Sequence, residues 1–90
     1  MKFYYNGQKV RESKTHEYHY GLKLWDGRIK ACSVTRDGLH REIAYFQKRF
    51  DSDLEYMRRN NYPAAEIEAK ETEIAARIAA MEIVELEARA

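Results

Sequence analysis

The chain has 90 residues, with 16 Lys/Arg, 15 Asp/Glu, a single cysteine and a formal net charge of +1. That length makes one small domain, which buries little more than half the surface its unfolded form exposes. Cys32 alone excludes an internal disulfide and a cysteine-based zinc cluster, and with no signal-peptide pattern at the front it points to a reducing cytosol; no apolar run approaches the ~20 residues that a bilayer span requires.

The near-neutral total conceals a gradient. Met1–Arg36 holds eight Lys/Arg against three Asp/Glu (+5), Asp37–Pro63 five against five (0), and Ala64–Ala90 three against seven (−4). A basic front attracts phosphates and an acidic tail repels them, so an anionic ligand is confined to one end. A long nucleic-acid backbone is poorly served by so short a basic region.

Phe3-Tyr4-Tyr5-Asn6-Gly7-Gln8-Lys9-Val10 opens the chain. Asn6-Gly7 predicts a two-residue hairpin loop, since both residues accept the positive φ of a type I′ turn. The register then pairs Tyr4 with Lys9 and Phe3 with Val10. Asp26-Gly27 predicts a second hairpin by the same logic, pairing Trp25 with Arg28, Leu24 with Ile29, Lys23 with Lys30 and Leu22 with Ala31. Alternation sets Tyr18, Tyr20, Leu22, Leu24, Ile29 and Ala31 on one face. His19, Lys23, Trp25, Arg28, Lys30 and Cys32 fall on the other, where Trp25 and Arg28 are placed to stack as a cation–π pair.

A helix follows over 36–61. Thr35 or Asp37 caps it, and Gly38 in its first turn leaves room for a close neighbour. Leu39, Ile43, Phe46, Phe50, Leu54 and Met57 recur at steps of three and four, the mark of one buried stripe that would cover the apolar face of the sheet. Asn60-Asn61 ends the helix and Pro63 begins the next. The second helix is expected over 63–89 because the segment is rich in Ala, Glu and Ile. Ile67, Ile74, Ile78 and Met81 make one stripe; Ala76, Ala79, Ala80, Ile83 and Leu86 make a second. A helix with two apolar faces needs a second copy to cover it, which predicts a homo-oligomer. The expected fold class is α+β, with two N-terminal hairpins (1–35) followed by two helices.

Catalytic and metal signals are weak. His16 and His19 lie three apart in an extended segment and so diverge, and His40 stands alone. Neither a phosphate-binding glycine loop nor a nucleophile elbow occurs in the sequence. The expectation is a binding protein, not an enzyme, with no cofactor. Its candidate ligand residues are chosen by chemistry. Arg11, Arg28, Arg36 and Arg58 offer planar forks to phosphate oxygens, Thr35 and Arg36 stand at a helix N-terminus, Trp25 offers a stacking face, and Asn61 sits at the helix joint.

The stretch from Phe3 to Phe46, with its Asn-Gly hairpin, Val10-Arg11-Glu12-Ser13-Lys14 segment, tyrosine-rich strand, Ala31-Cys32-Ser33 strand end and following amphipathic helix, resembles the small phage proteins that counter the bacterial Thoeris defence as sponges for its signal. The likeness covers about the first sixty residues. It implies a small antiparallel sheet with helices, assembly as a homo-oligomer, and sequestration of cyclic ADP-ribose derivatives between protomers without cleavage; some such proteins also hold cyclic oligonucleotides at separate sites. No ligand residue transfers by position. The alternative from the same charged surface is a phage inhibitor that binds a host defence protein or nucleoprotein directly, in the manner of an anti-CRISPR factor.

Overall fold

The computed structural model describes every residue from Met1 to Ala90. The first hairpin joins β1 (Lys2–Tyr5) to β2 (Gln8–Glu12). Its turn residues Asn6 and Gly7 both have positive φ, at 49° and 78°, as a type I′ turn demands. A bulge between Phe3 and Tyr4 alters the expected register, so that Phe3 faces Arg11 and Val10 is the extra residue. The second hairpin joins β3 (Tyr20–Lys23) to β4 (Ile29–Ser33). Its loop holds three residues, not two. The Gly27 N–H donates to the Leu24 carbonyl, the Leu24 N–H donates to the Arg28 carbonyl, and Gly27 takes a φ of +86°. This is a tight turn closed by a left-handed glycine, and it lifts Trp25 out of strand alternation. Lys23 therefore faces Ile29, and a second bulge restores the expected pairing of Leu22 with Ala31.

Helix α1 (Arg36–Arg59) starts where Thr35 caps it, its Oγ1 accepting the Gly38 N–H at 3.4 Å. A Cβ at Gly38 would meet the Ser33 hydroxyl, which would have to move. At the other end, Asn61 has a φ of +54°, the Tyr62 N–H bonds the Met57 carbonyl and the Asn61 N–H bonds the Arg58 carbonyl. Those bonds form a Schellman cap, which turns the chain into α2 (Ala64–Ala80) after Pro63. The expected stripe is buried: Leu39, Phe46, Phe50 and Leu54 join Leu22, Leu24 and Ile74 in one cluster, with Ile43, Ile67, Ile78 and Met81 packed around it.

The second helix does not run to residue 89. It stops at Ala80, and the chain returns as β5 (Glu82–Glu85) and β6 (Glu87–Arg89). β5 pairs with β3, giving the sheet order β4-β3-β5, and β6 pairs with β1, giving β2-β1-β6. Each hairpin thus gains a third strand from one short tail. Leu86 is the single residue between them, and its N–H donates to the His19 carbonyl at 2.9 Å. Tertiary pairing overrides the helical composition here, because an unpaired β3 edge offers backbone groups that only an extended segment can satisfy.

The molecule has three layers. Leu22, Ala31 and Ile83 share the face of the β4-β3-β5 sheet that meets the helices. Its other face carries Gly21, Cys32 and Val84. Phe3 is fully buried yet lies outside the helix-side cluster. Its ring meets Tyr18 edge-on at 5.3 Å, while the Lys23 ammonium lies 5.7 Å from the centre of the Tyr5 ring. These contacts lay the β2-β1-β6 sheet against that other face, with the two hairpin turns at the same end. No helix is long and apolar enough to cross a membrane.

Candidate functional site

Between the two hairpin turns lies an open cleft of about 450 Å³, lined by Tyr5, Gln8, Lys9 and Val10 from the first hairpin and Asp26, Gly27, Arg28 and Ile29 from the second. It falls within the size range of small-ligand sites. Tyr5, Val10 and Ile29 supply its apolar part, and cations stand on both lips. Lys9 donates to Glu12 at 2.7 Å, a bond that raises the Lys9 pKa and lowers that of Glu12. Lys23 has no carboxylate partner and rests over the Tyr5 ring.

Arg28 is held by its neighbour. One Asp26 carboxylate oxygen accepts the Arg28 backbone N–H at 3.0 Å, and the other accepts Nε at 2.5 Å. The backbone bond is the main reason the Asp26 carboxyl lies below its ordinary range, with the guanidinium adding to it. Anchoring Nε leaves both terminal guanidinium nitrogens free and the side chain 72% exposed. Two free terminal nitrogens make a fork whose geometry matches the oxygens of a carboxylate or phosphate.

Of the seven residues chosen from sequence, only Arg28 lines this cleft. Trp25 is not a surface platform. It packs against Phe46 and Phe50, with ring centres 5.8 and 5.9 Å away, and its cation is Arg77 at 4.9 Å, not Arg28. The three-residue loop explains the change of face. Arg11 lies over the Tyr18 ring at 5.7 Å and beside Cys32, whose thiol burial pushes up while Arg11 pulls it partly back. Thr35 is committed to the helix cap. Arg36 lies 4.7 Å over the Tyr20 ring and 3.9 Å from Glu85.

Arg58 bridges to Glu71 at 3.0 Å, tying α1 to α2, and Asn61 supplies the positive φ of the cap. At about 1.5 Å of rise per residue, that end of α1 lies roughly 33 Å from Arg36. The seven therefore do not form one site. Sequence reasoning missed Tyr5, Lys9 and Asp26 as ligand candidates. Their signal was position, since each lies within two residues of one of the two turn dipeptides.

A second, shallower cleft of about 360 Å³ lies on the outer face of α1, lined by Tyr45, Lys48, Arg49, Ser52 and Asp53. Tyr45 is 57% exposed, with the Arg49 guanidinium 5.8 Å from its ring centre. No group of three or more His, Cys, Asp or Glu side chains converges as a metal site would. No protein-family model matches the chain, and neither a curated protein nor a solved structure does so.

Proposed function

We propose that this chain is a non-enzymatic sponge of the phage anti-defence kind, which binds a cyclic nucleotide signal of the cyclic ADP-ribose type in the host cytosol and keeps it uncleaved. Cyclic oligonucleotides belong to the same proposed ligand class. The observation that carries the reading is the cleft between the hairpin turns, which brings Tyr5, Lys9 and Arg28 to one opening, with the Lys23 ammonium 5.7 Å from the Tyr5 ring centre. A flat base suits the ring and the apolar floor; a phosphate suits the free fork of Arg28.

Assembly as a homo-oligomer belongs to the same reading and is favoured by size. A compact monomer of 10.7 kDa exposes about 5,500 Å² and has a radius of gyration near 12 Å. This chain exposes 6381 Å², has a radius of 16.3 Å and extends over 53 × 21 × 16 Å. The excess of roughly 900 Å² matches the ~800 Å² per partner of a standard interface. The second helix does not present two apolar faces, because Ile83 lies in β5 and Leu86 between β5 and β6; Ala76, Ala79 and Ala80 remain exposed on α2.

Native mass spectrometry of the protein incubated with cyclic ADP-ribose tests both parts together. The expected result is an oligomer carrying intact ligand that denaturation releases unchanged. Arg28→Ala should weaken binding by about 1.5–3 kcal/mol. Tyr5→Ala should cost about 1–3 kcal/mol. Arg36→Ala, away from the cleft, should leave affinity unchanged. Release of altered nucleotide would overturn the reading.

A second reading, direct inhibition of a host defence protein, is favoured by the aromatic and cationic cleft on α1. Capture of one host protein from nucleotide-depleted lysate, lost on Lys48→Glu with Arg49→Glu, would select it.

A further inference from the structure

We propose that the first hairpin with β6 forms a hinged jaw that closes over a planar ring bearing an anionic arm; this rests on the reading of the hairpin cleft as the ligand site. The two sides of the cleft belong to different sheets, four residues from each. The body of the clamp is the β4-β3-β5 sheet, fixed by seven buried residues shared with both helices. The jaw contributes none of those seven, and Phe3 is its only buried side chain.

Two narrow covalent links join jaw to body. One is 13–19, which has neither helix nor strand, and the other is Leu86, a single residue between β5 and β6. At the base Phe3 and Arg11 pack on Tyr18 of the 13–19 link, and Arg11 reaches Cys32 of the body. Toward the turns lies the open cleft, with Lys23 of the body over Tyr5 of the jaw. A sheet held by few buried apolar contacts opens at lower free energy than one built into the main core.

The charges supply a reason to move. Lys9 stands on the jaw lip, paired with Glu12, and Arg28 on the body lip, paired with Asp26. An anion between them accepts from the remaining N–H groups of both and so draws the two lips together. A ring entering beside it takes the face of Tyr5 that Lys23 now covers, and the displaced ammonium becomes a further donor to the anion. The jaw then shuts over the ring, with Val10 and Ile29 closing on its edges.

Hydrogen exchange of the full chain, alone and with saturating cyclic ADP-ribose, tests this, with calorimetry reporting whether the probe binds. In the free protein, amides of β1 and β6 should exchange at least ~10-fold faster than those of β3 and β5. With the probe bound, exchange should slow in β1, β2 and β6 and stay unchanged in β3–β5 pairing. Equal exchange of the two sheets in the free protein would overturn the jaw whatever binds. Slowing spread evenly over both sheets would overturn it as well. Fast exchange in β1 and β6 with no heat of binding would uphold the jaw and defeat the cyclic ADP-ribose reading instead.

Discussion

Replacing Trp25 by alanine separates a core residue from a ligand platform. The indole meets two phenylalanines and lies under the Arg77 guanidinium. If roughly 150 Å² of a half-buried indole leaves water at about 25 cal/mol/Å², the transfer part is about 4 kcal/mol, reduced to about 3 because unfolded chains already bury some area. That agrees with the ~3–5 kcal/mol measured for large aromatic truncations. Against a total stability of about 5–13 kcal/mol for 90 residues, the loss is severe. Urea unfolding followed by circular dichroism should show it as a lower midpoint at constant slope, and thermal melting as a fall of about 12–24 °C. Trp25→Phe should cost much less, and Arg77→Ala should couple to Trp25 by about 0.5–1 kcal/mol in a double-mutant cycle. A Trp25→Ala protein within about 0.5 kcal/mol of the parent, yet unable to hold cyclic ADP-ribose, would refute this reasoning and restore the tryptophan to the surface.

Val84→Asp should be strongly destabilising, by more than about 3 kcal/mol, since it buries an unpaired carboxylate beside Gly21; a near-neutral result in the same urea assay would contradict a β5 strand. Gly38→Ala should lose stability despite the ~1 kcal/mol gained in helix propensity, because the new Cβ displaces the Ser33 hydroxyl from its bond to the Thr35 N–H. Ser33→Ala alone should cost the same bond, and Gly38→Ala added to it should then be neutral or stabilising; a further loss would show that the collision is elsewhere. The Cys32 thiol should alkylate with a pH midpoint above its ordinary value of 9.0, and Arg11→Ala should move that midpoint higher still. A thiol raised in the folded state stabilises fully below its unfolded pKa, so stability should fall as pH rises through the alkaline range. Lowered Asp26 has the opposite sign: its contribution stands above the ordinary carboxylate range and fades as pH falls through the folded value.

Turn chemistry and helical periodicity were readable because each is local. Asn6-Gly7 and Asp26-Gly27 marked both hairpins, and the stripe from Leu39 to Leu54 marked the buried face of α1. The side-chain faces near the turns were not readable in full, since each hairpin carries a bulge and the loop after Leu24 is one residue longer than its dipeptide suggests. One inserted residue is enough to send Trp25 inward. The C-terminal strands were lost to composition: Ala, Glu and Leu favour a helix in isolation, and the demand that draws 82–89 into sheets comes from β1 and β3, some sixty residues or more earlier. A trace was present, because Glu85-Leu86-Glu87-Ala88-Arg89 alternates polar and apolar side chains with a period of two. Candidate ligand residues fared worst. Arginines are easy to find and hard to place, and Arg36, Arg58 and Arg11 each already have a ring or a carboxylate of their own.

The tail that completes both sheets also governs when the protein can finish folding. The β1–β2 hairpin is made well before β6, the strand that pairs with β1. Until then the opening hairpin waits with an open edge, and the helices can settle before it does. Pairing across nearly the whole length of a chain is slow to form. A product cut before Glu82 would have two unfinished edges, on β1 and on β3, each free to join a neighbour.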